Sequence, residues 1–129
     1  MQVRGAGVEV ALQLAELAHR KLPESPEVAD TLGWVHLRRN MPSMALPLLE
    51  QASRNAPSNA AIAYHLGTAY LELGRRSDAL AAFQLAIKAG PGTPEGGAAK
   101  RAMAAMFTVS SNTTMLPWPS RAPAALKAS

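Results

Sequence analysis

Residues 26–59 read PEVADTLGWVHLRRNMPSMALPLLEQASRNAPSN, and residues 60–93 read AAIAYHLGTAYLELGRRSDALAAFQLAIKAGPGT. Laid one over the other, they share Leu32-Gly33 with Leu66-Gly67, Ala45 and Ala52 with Ala79 and Ala86, and Pro57 with Pro91, each pair 34 residues apart. The same step backwards reaches Ala11, Ala18 and Pro23. A fixed period of this length, with small residues recurring at helical spacing, is the mark of stacked helix–turn–helix units. The fold class that follows is all-α, an α-solenoid of antiparallel helix hairpins.

Composition agrees. The chain has 129 residues, 48% of them hydrophobic but only 5% aromatic, which suits closely packed, alanine-rich helices. It has no cysteine, so disulfides, thiolate metal sites and cysteine nucleophiles are excluded. The formal charge of +4 suggests nucleic acid until it is located. From Val8 to Thr93 eight basic residues face eight acidic ones, so the excess sits in the flanks. A nucleic-acid surface concentrates charge on a folded face, and no nucleic-acid partner is expected. No apolar run approaches the roughly 18 residues of a membrane span, and no secretory signal opens the chain. The compartment, cytoplasm or cell envelope, stays open.

Taken in order, residues 1–7 contain Gly5 and Gly7 and predict a flexible lead-in. Residues 8–23 form a half repeat, because this helix aligns with the second helix of each later unit. Its own hairpin partner is missing, so the reading expects an exposed face at which Val8 and Leu12 would mediate self-association. Ser25-Pro26-Glu27 predicts a capped helix start, and Asn40 a left-handed stop like Gly74. Ser43, Asn59 and Ser77 are read as the next N-caps. With Ser43 as cap, Pro47 falls among the first four helical residues, whose amides have no internal acceptor. Repeats occupy 26–59 and 60–93, and Gly90-Pro91 ends the second. The glycine-rich 90–97 stretch lacks the Gly-Lys-Ser/Thr and the strand of a phosphate loop. Lys100-Arg101 stand where Leu-Gly should recur, so 94–107 reads as a capping helix. Residues 108–129, with Trp118 and the glycosylation-like Asn112-Thr113-Thr114, read as a disordered tail.

These residues resemble the tetratricopeptide repeat (TPR) family. Residues 60–93 carry Leu66-Gly67, Tyr70, Gly74, Ala79, Phe83, Ala86 and Pro91; residues 26–59 carry Leu32-Gly33, Ala45, Leu49, Ala52 and Pro57. Departures are Ala29 and Ala63 in the tryptophan slot, His36 in the tyrosine slot and Asn40 in a glycine slot. The phrase Asp30-Thr31-Leu32-Gly33-Trp34-Val35 is also similar to the ends of long bacterial TPR proteins of exopolysaccharide and exosortase-linked systems. That resemblance implies a terminal piece of a longer solenoid.

In the family the first helix of each repeat lines a concave face. Carried over, this face holds Glu27, Asp30, Thr31, Trp34, Leu37 and Arg38, then Ala61, Tyr64, His65, Thr68, Leu71 and Glu72. The expected site for a partner protein or peptide is Asp30, Trp34, Arg38, Tyr64, His65, Thr68 and Glu72, with aromatic anchors and charged flanks. The carboxylate clamp of chaperone-tail TPR domains is missing, since its lysine and asparagine slots hold Asp30, Trp34, Tyr64 and Thr68. His19, His36 and His65 fall on separate helices without a nucleophile or metal-ligand spacing, so no enzyme, cofactor or metal site is expected. The function read from the residues is a protein–protein interaction scaffold. The alternative is a structural segment of a longer superhelix, or a self-assembly module.

Overall fold

The computed structural model describes residues 2–115 of the chain. Six helices follow one another: α1 (Gln2–Lys21), α2 (Pro26–Arg38), α3 (Pro42–Asn55), α4 (Ala60–Glu72), α5 (Arg76–Ala89) and α6 (Pro94–Met115). Two compact units divide the chain, Met1–Ala99 and Lys100–Ser129. The first holds α1 to α5 and the start of α6; the rest of α6 lies in the second.

Within the first unit, α2 pairs with α3 and α4 with α5 as hairpins. Helix α3 also packs on α4, α1 on α2, and the first helices α2 and α4 touch side by side. The tight pairing has a visible cause. A β-carbon built on Gly33 would lie 2.8 Å from Leu49 Cγ, and one on Gly67 would lie 2.6 Å from the Phe83 ring. Leu49 and Phe83 are fully buried in these gaps. Ala45, Ala52, Ala79 and Ala86 have no exposed surface at all, so each second helix meets its neighbours through its smallest side chains. Leu37, Leu66, Ala69 and Ala82 form the central cluster with Ala45 and Leu49, and Trp34, Leu46 and Tyr70 pack against it.

The turns repeat as faithfully as the helices. Asn40 (φ 61°) and Gly74 (φ 80°) take the left-handed conformation. The amides of Met41 and Arg75 then bond back to the carbonyls of His36 and Tyr70, both at 2.9 Å, which closes α2 and α4 as Schellman motifs. Ser25 Oγ accepts from the Val28 amide and Asn59 Oδ1 from that of Ile62, as N-caps.

Ser43 and Ser77 do not cap. Both helices start two residues earlier than that capping implies, α3 at Pro42 and α5 at Arg76, and their N-caps Met41 and Arg75 make no side-chain cap bond. The Schellman turn sets where each chain re-enters a helix, and Pro42 takes the first helical position that its fixed φ suits. Pro47 consequently lies inside α3, on its exposed side, and not within the first four residues. Thr93 caps α6, accepting from the Gly96 amide at 3.0 Å and donating to the Gly90 carbonyl at 2.6 Å. The glycine-rich stretch is therefore a helix stop and restart.

Two other boundaries move. Residues 2–7 are helical, because Gly5 and Gly7 weaken a helix without ending it. Helix α6 continues through Met115, past the expected end at 107 and through Asn112-Thr113-Thr114. Trp118 and the remainder of the tail lie outside the described residues. Helix α1 also presents a different stripe from the one expected. Leu12 packs against the cluster of Ala15, Leu32 and Val35, and Val8 is half-buried. The exposed apolar residues are Val10 (53%), Leu14 (62%) and Leu17 (42%).

His36 shows how one slot can diverge. Its counterpart Tyr70 donates from its hydroxyl to Glu50 Oε2 at 2.7 Å and lies under the Arg75 guanidinium. Burial and the Glu50 bond push that phenol up to about 12. Shifted back one repeat, the pair becomes His36 and Glu16. His36 is buried at 4% exposure, and its Nδ1 has no hydrogen-bond partner. Burial first, then the Arg39 charge, holds its pKa below the ordinary 6.5, against the opposing pull of Glu16.

Two predictions follow from this packing. Gly67→Ala should lower stability by about 1–3 kcal/mol in urea unfolding, because the enclosed Phe83 ring has no room to yield; the gain in helix propensity, up to about 1 kcal/mol, offsets only part of this. Gly33→Ala should cost less, since Leu49 can change rotamer. For His36 the folded pKa is depressed, so its stability contribution is whole above the unfolded value near 6.5 and is lost as pH falls through the folded value. Thermal melts between pH 7.5 and 5 should therefore show a fall that His36→Tyr reduces, the new phenol reaching Glu16 as Tyr70 reaches Glu50.

Candidate functional site

The side-by-side contact of α2 and α4 brings together four of the seven residues expected on the concave face. His65 Nδ1 lies 2.7 Å from Asp30 Oδ1, with both side chains mostly buried at 16% and 14% exposure. A carboxylate can only accept, so Nδ1 carries the proton and donates. The bond turns the imidazole flat against Trp34, with ring centroids 4.1 Å apart and planes 25° apart. Tyr64 continues the row at 5.8 Å from His65, tilted by 54°. Its ring in turn leans on Phe83 at 5.9 Å. Trp34 also rests on the central core cluster. The result is a row of half-buried rings whose positions are fixed by the core below and a charged hydrogen bond at the side.

The other three residues behave differently. Thr68 Oγ1 donates to the Tyr64 carbonyl at 3.0 Å, within its own helix. Arg38 is exposed and lines a cleft of about 340 Å³ with Gly7, Val8, Ala11, Trp34 and Val35, on the α1 side of α2. Glu72 is exposed in the last turn of α4. Leu37, also expected on this face, is buried at 6% in the core cluster, so it supports Trp34 from beneath.

The Asp30–His65 pair joins residues 35 apart in sequence. In a strict repeat Asp30 matches Tyr64, and Thr31 matches His65. The contact thus links two slots at which the repeats differ, and no periodic signal points to it. Phe83 was legible as a core aromatic, but its contact with Tyr64 was not, because it joins a second helix to the concave row of its own hairpin.

The dyad has limited chemistry. Thr68, the aliphatic hydroxyl of α4, is bonded to backbone. Among the described residues, no group of three or more His, Cys, Asp or Glu side chains is placed to hold a metal ion. Nor is any described helix long and apolar enough to cross a membrane.

Comparison with known proteins extends the fold assignment. Residues 31–94 match the family model described as tetratricopeptide repeat. No curated protein matched the sequence. Among solved structures, MamA MSR-1 superposes with a TM-score of 0.68 and 28% identity, covering 89% of this chain and 65% of that one. The MamA D159K mutant gives 0.61 and 27%, covering 75% and 56%. The chain thus spans less than two thirds of these MamA chains. The Yersinia enterocolitica type III secretion translocator chaperone SycD gives 0.69 at 14% identity, covering 88% and 86%, a likeness of fold alone. The comparisons lend no support to the resemblance to exosortase-linked proteins. The period, the Gly33 and Gly67 crossings, the paired hairpins and the family match agree, and through residues 31–94 the chain belongs to the tetratricopeptide repeat family.

Proposed function

We propose that the chain is a protein-interaction scaffold that binds an extended or helical peptide across the concave face of α2 and α4. The observation that carries this reading is the row Trp34–His65–Tyr64, fixed by Asp30. Rings held in place before binding lose little freedom when a partner arrives. Trp and Tyr are also the side chains that most often dominate an interface. Exposed Arg38 and Glu72, of opposite sign at the C-terminal ends of neighbouring helices, set the register of the bound segment. Family membership supports a binding role in general, and the concave residues narrow it to an apolar or aromatic peptide side chain seated over the row.

A second reading is favoured by one observation. The exposed stripe of Val10, Leu14 and Leu17 on α1 supports a structural role, as the end of a longer superhelix or in self-assembly. Both readings leave the chain without an enzymatic role.

The concave reading is testable with a phage-displayed peptide library selected on the wild-type chain. Peptides so selected should bind the Trp34→Ala/Tyr64→Ala chain at least about tenfold more weakly. Equal affinity for both chains, measured by fluorescence anisotropy, would place the binding surface elsewhere.

A further inference from the structure

We propose that the side chain seated over the Trp34–His65–Tyr64 row is an indole whose N–H donates to His65 Nε2. The proposal rests on the peptide-binding reading above and names the anchor of the bound segment as tryptophan. It draws on α2 and α4 alone, the two helices that carry the row.

The 2.7 Å bond between His65 Nδ1 and Asp30 Oδ1 does two things. It holds the imidazole flat against Trp34, and it fixes the tautomer. A carboxylate oxygen accepts, so the proton sits on Nδ1 and Nε2 keeps its lone pair. Nε2 lies on the edge of the ring that points away from Asp30. Among the described residues, the ring nitrogens buried without a partner are His19 Nε2 and His36 Nδ1. His65 Nε2 also lacks a partner within the chain, but it is not buried and stands open to solvent. The row thus presents an oriented acceptor, with the Trp34 and Tyr64 rings on either side of it.

An acceptor so placed discriminates among anchors. A phenylalanine ring would strip water from Nε2 and return no bond, and an acceptor left unmet costs free energy. Serine, threonine, asparagine and glutamine donate, but they offer little flat apolar area and bring acceptors of their own. Tyrosine has the flat area, yet its hydroxyl oxygen is again an acceptor to be satisfied. Lysine and arginine only donate, but each would shed water from a full charge. The carboxylate beside the ring, Asp30, is 14% exposed and already bonded to His65, so it is not free to pair with them. Indole alone combines a broad apolar face with a single N–H donor and no acceptor. Its ring packs on the row while its one polar atom meets Nε2.

The test starts from peptides selected on the wild-type chain from a phage-displayed library, which should converge on tryptophan. In a synthetic selected peptide, that tryptophan is replaced by benzothienylalanine, which keeps the shape and puts sulfur where the N–H was. Fluorescence anisotropy should show binding to the wild-type chain weakened at least about tenfold. The His65→Phe chain keeps a ring and loses the acceptor, so it should bind the two peptides alike; circular dichroism should show it folded. Nitrogen-15 NMR of the free wild-type chain at about pH 8, above the ordinary histidine range, should find the His65 proton on Nδ1. The Nε2 resonance should move upfield when the tryptophan peptide is added. Selected peptides without tryptophan, a benzothienyl peptide that binds the wild-type chain as tightly as its parent, or a proton on Nε2 of the free chain would each overturn the proposal. If those same peptides still lost affinity for the Trp34→Ala/Tyr64→Ala chain, the peptide-binding reading would stand without it. Peptides indifferent to the double substitution would remove that reading and the indole together.

Discussion

The structure depends on how closely two helices can cross at Gly33 and Gly67. With no side chain at these points, Leu49 and Phe83 enter the space a β-carbon would take. That approach brings Ala45, Ala52, Ala79 and Ala86 into complete burial and leaves few voids between the hairpin helices. It also sets the spacing between successive first helices. Only at that spacing does His65 reach Asp30 and lie flat on Trp34. The ring row along α2 and α4 is thus a consequence of glycines in the same helices.

Internal repetition lets the chain act as its own control. The slot held by Leu49 and Phe83 holds Ala15 in α1, and there the surrounding alanines are only half-buried. Ala11 and Ala18 are half-buried where Ala45 and Ala52, one repeat on, are fully buried. Tyr70 and His36 make a second comparison. The tyrosine reaches a carboxylate and satisfies its hydroxyl, while the histidine is shorter and leaves Nδ1 without a partner. Burying a polar atom without a bond costs free energy, so the first repeat is built less well than the second at this slot.

The two faces also differ in kind. The concave row is polar at its edge and aromatic at its centre, and its geometry is held by bonds already made within the chain. The α1–α2 cleft lined by Leu14 and Val28 is apolar apart from Thr31.

Sequence alone determined the period, the hairpins, the small residues at the crossings, the caps at Ser25 and Asn59, and the left-handed stops at Asn40 and Gly74. Each of these is local or repeats, and repetition makes a non-local contact visible as a spacing. It also placed Asp30, Trp34, Tyr64 and His65 on one face. It did not show that Asp30 bonds His65, that the imidazole stacks on Trp34, or that Leu37 turns inward while Arg38 faces α1. Those depend on how far α4 is displaced and rotated against α2, and the contacts join slots where the repeats differ. The starts of α3 and α5 were misplaced for a related reason: the turn geometry set by the preceding helix outweighed the capping preference of Ser43 and Ser77. Which stripe of α1 stays exposed was likewise decided by tertiary packing, since Leu12 and Leu14 are alike in sequence and only the position of α2 buries one and leaves the other open.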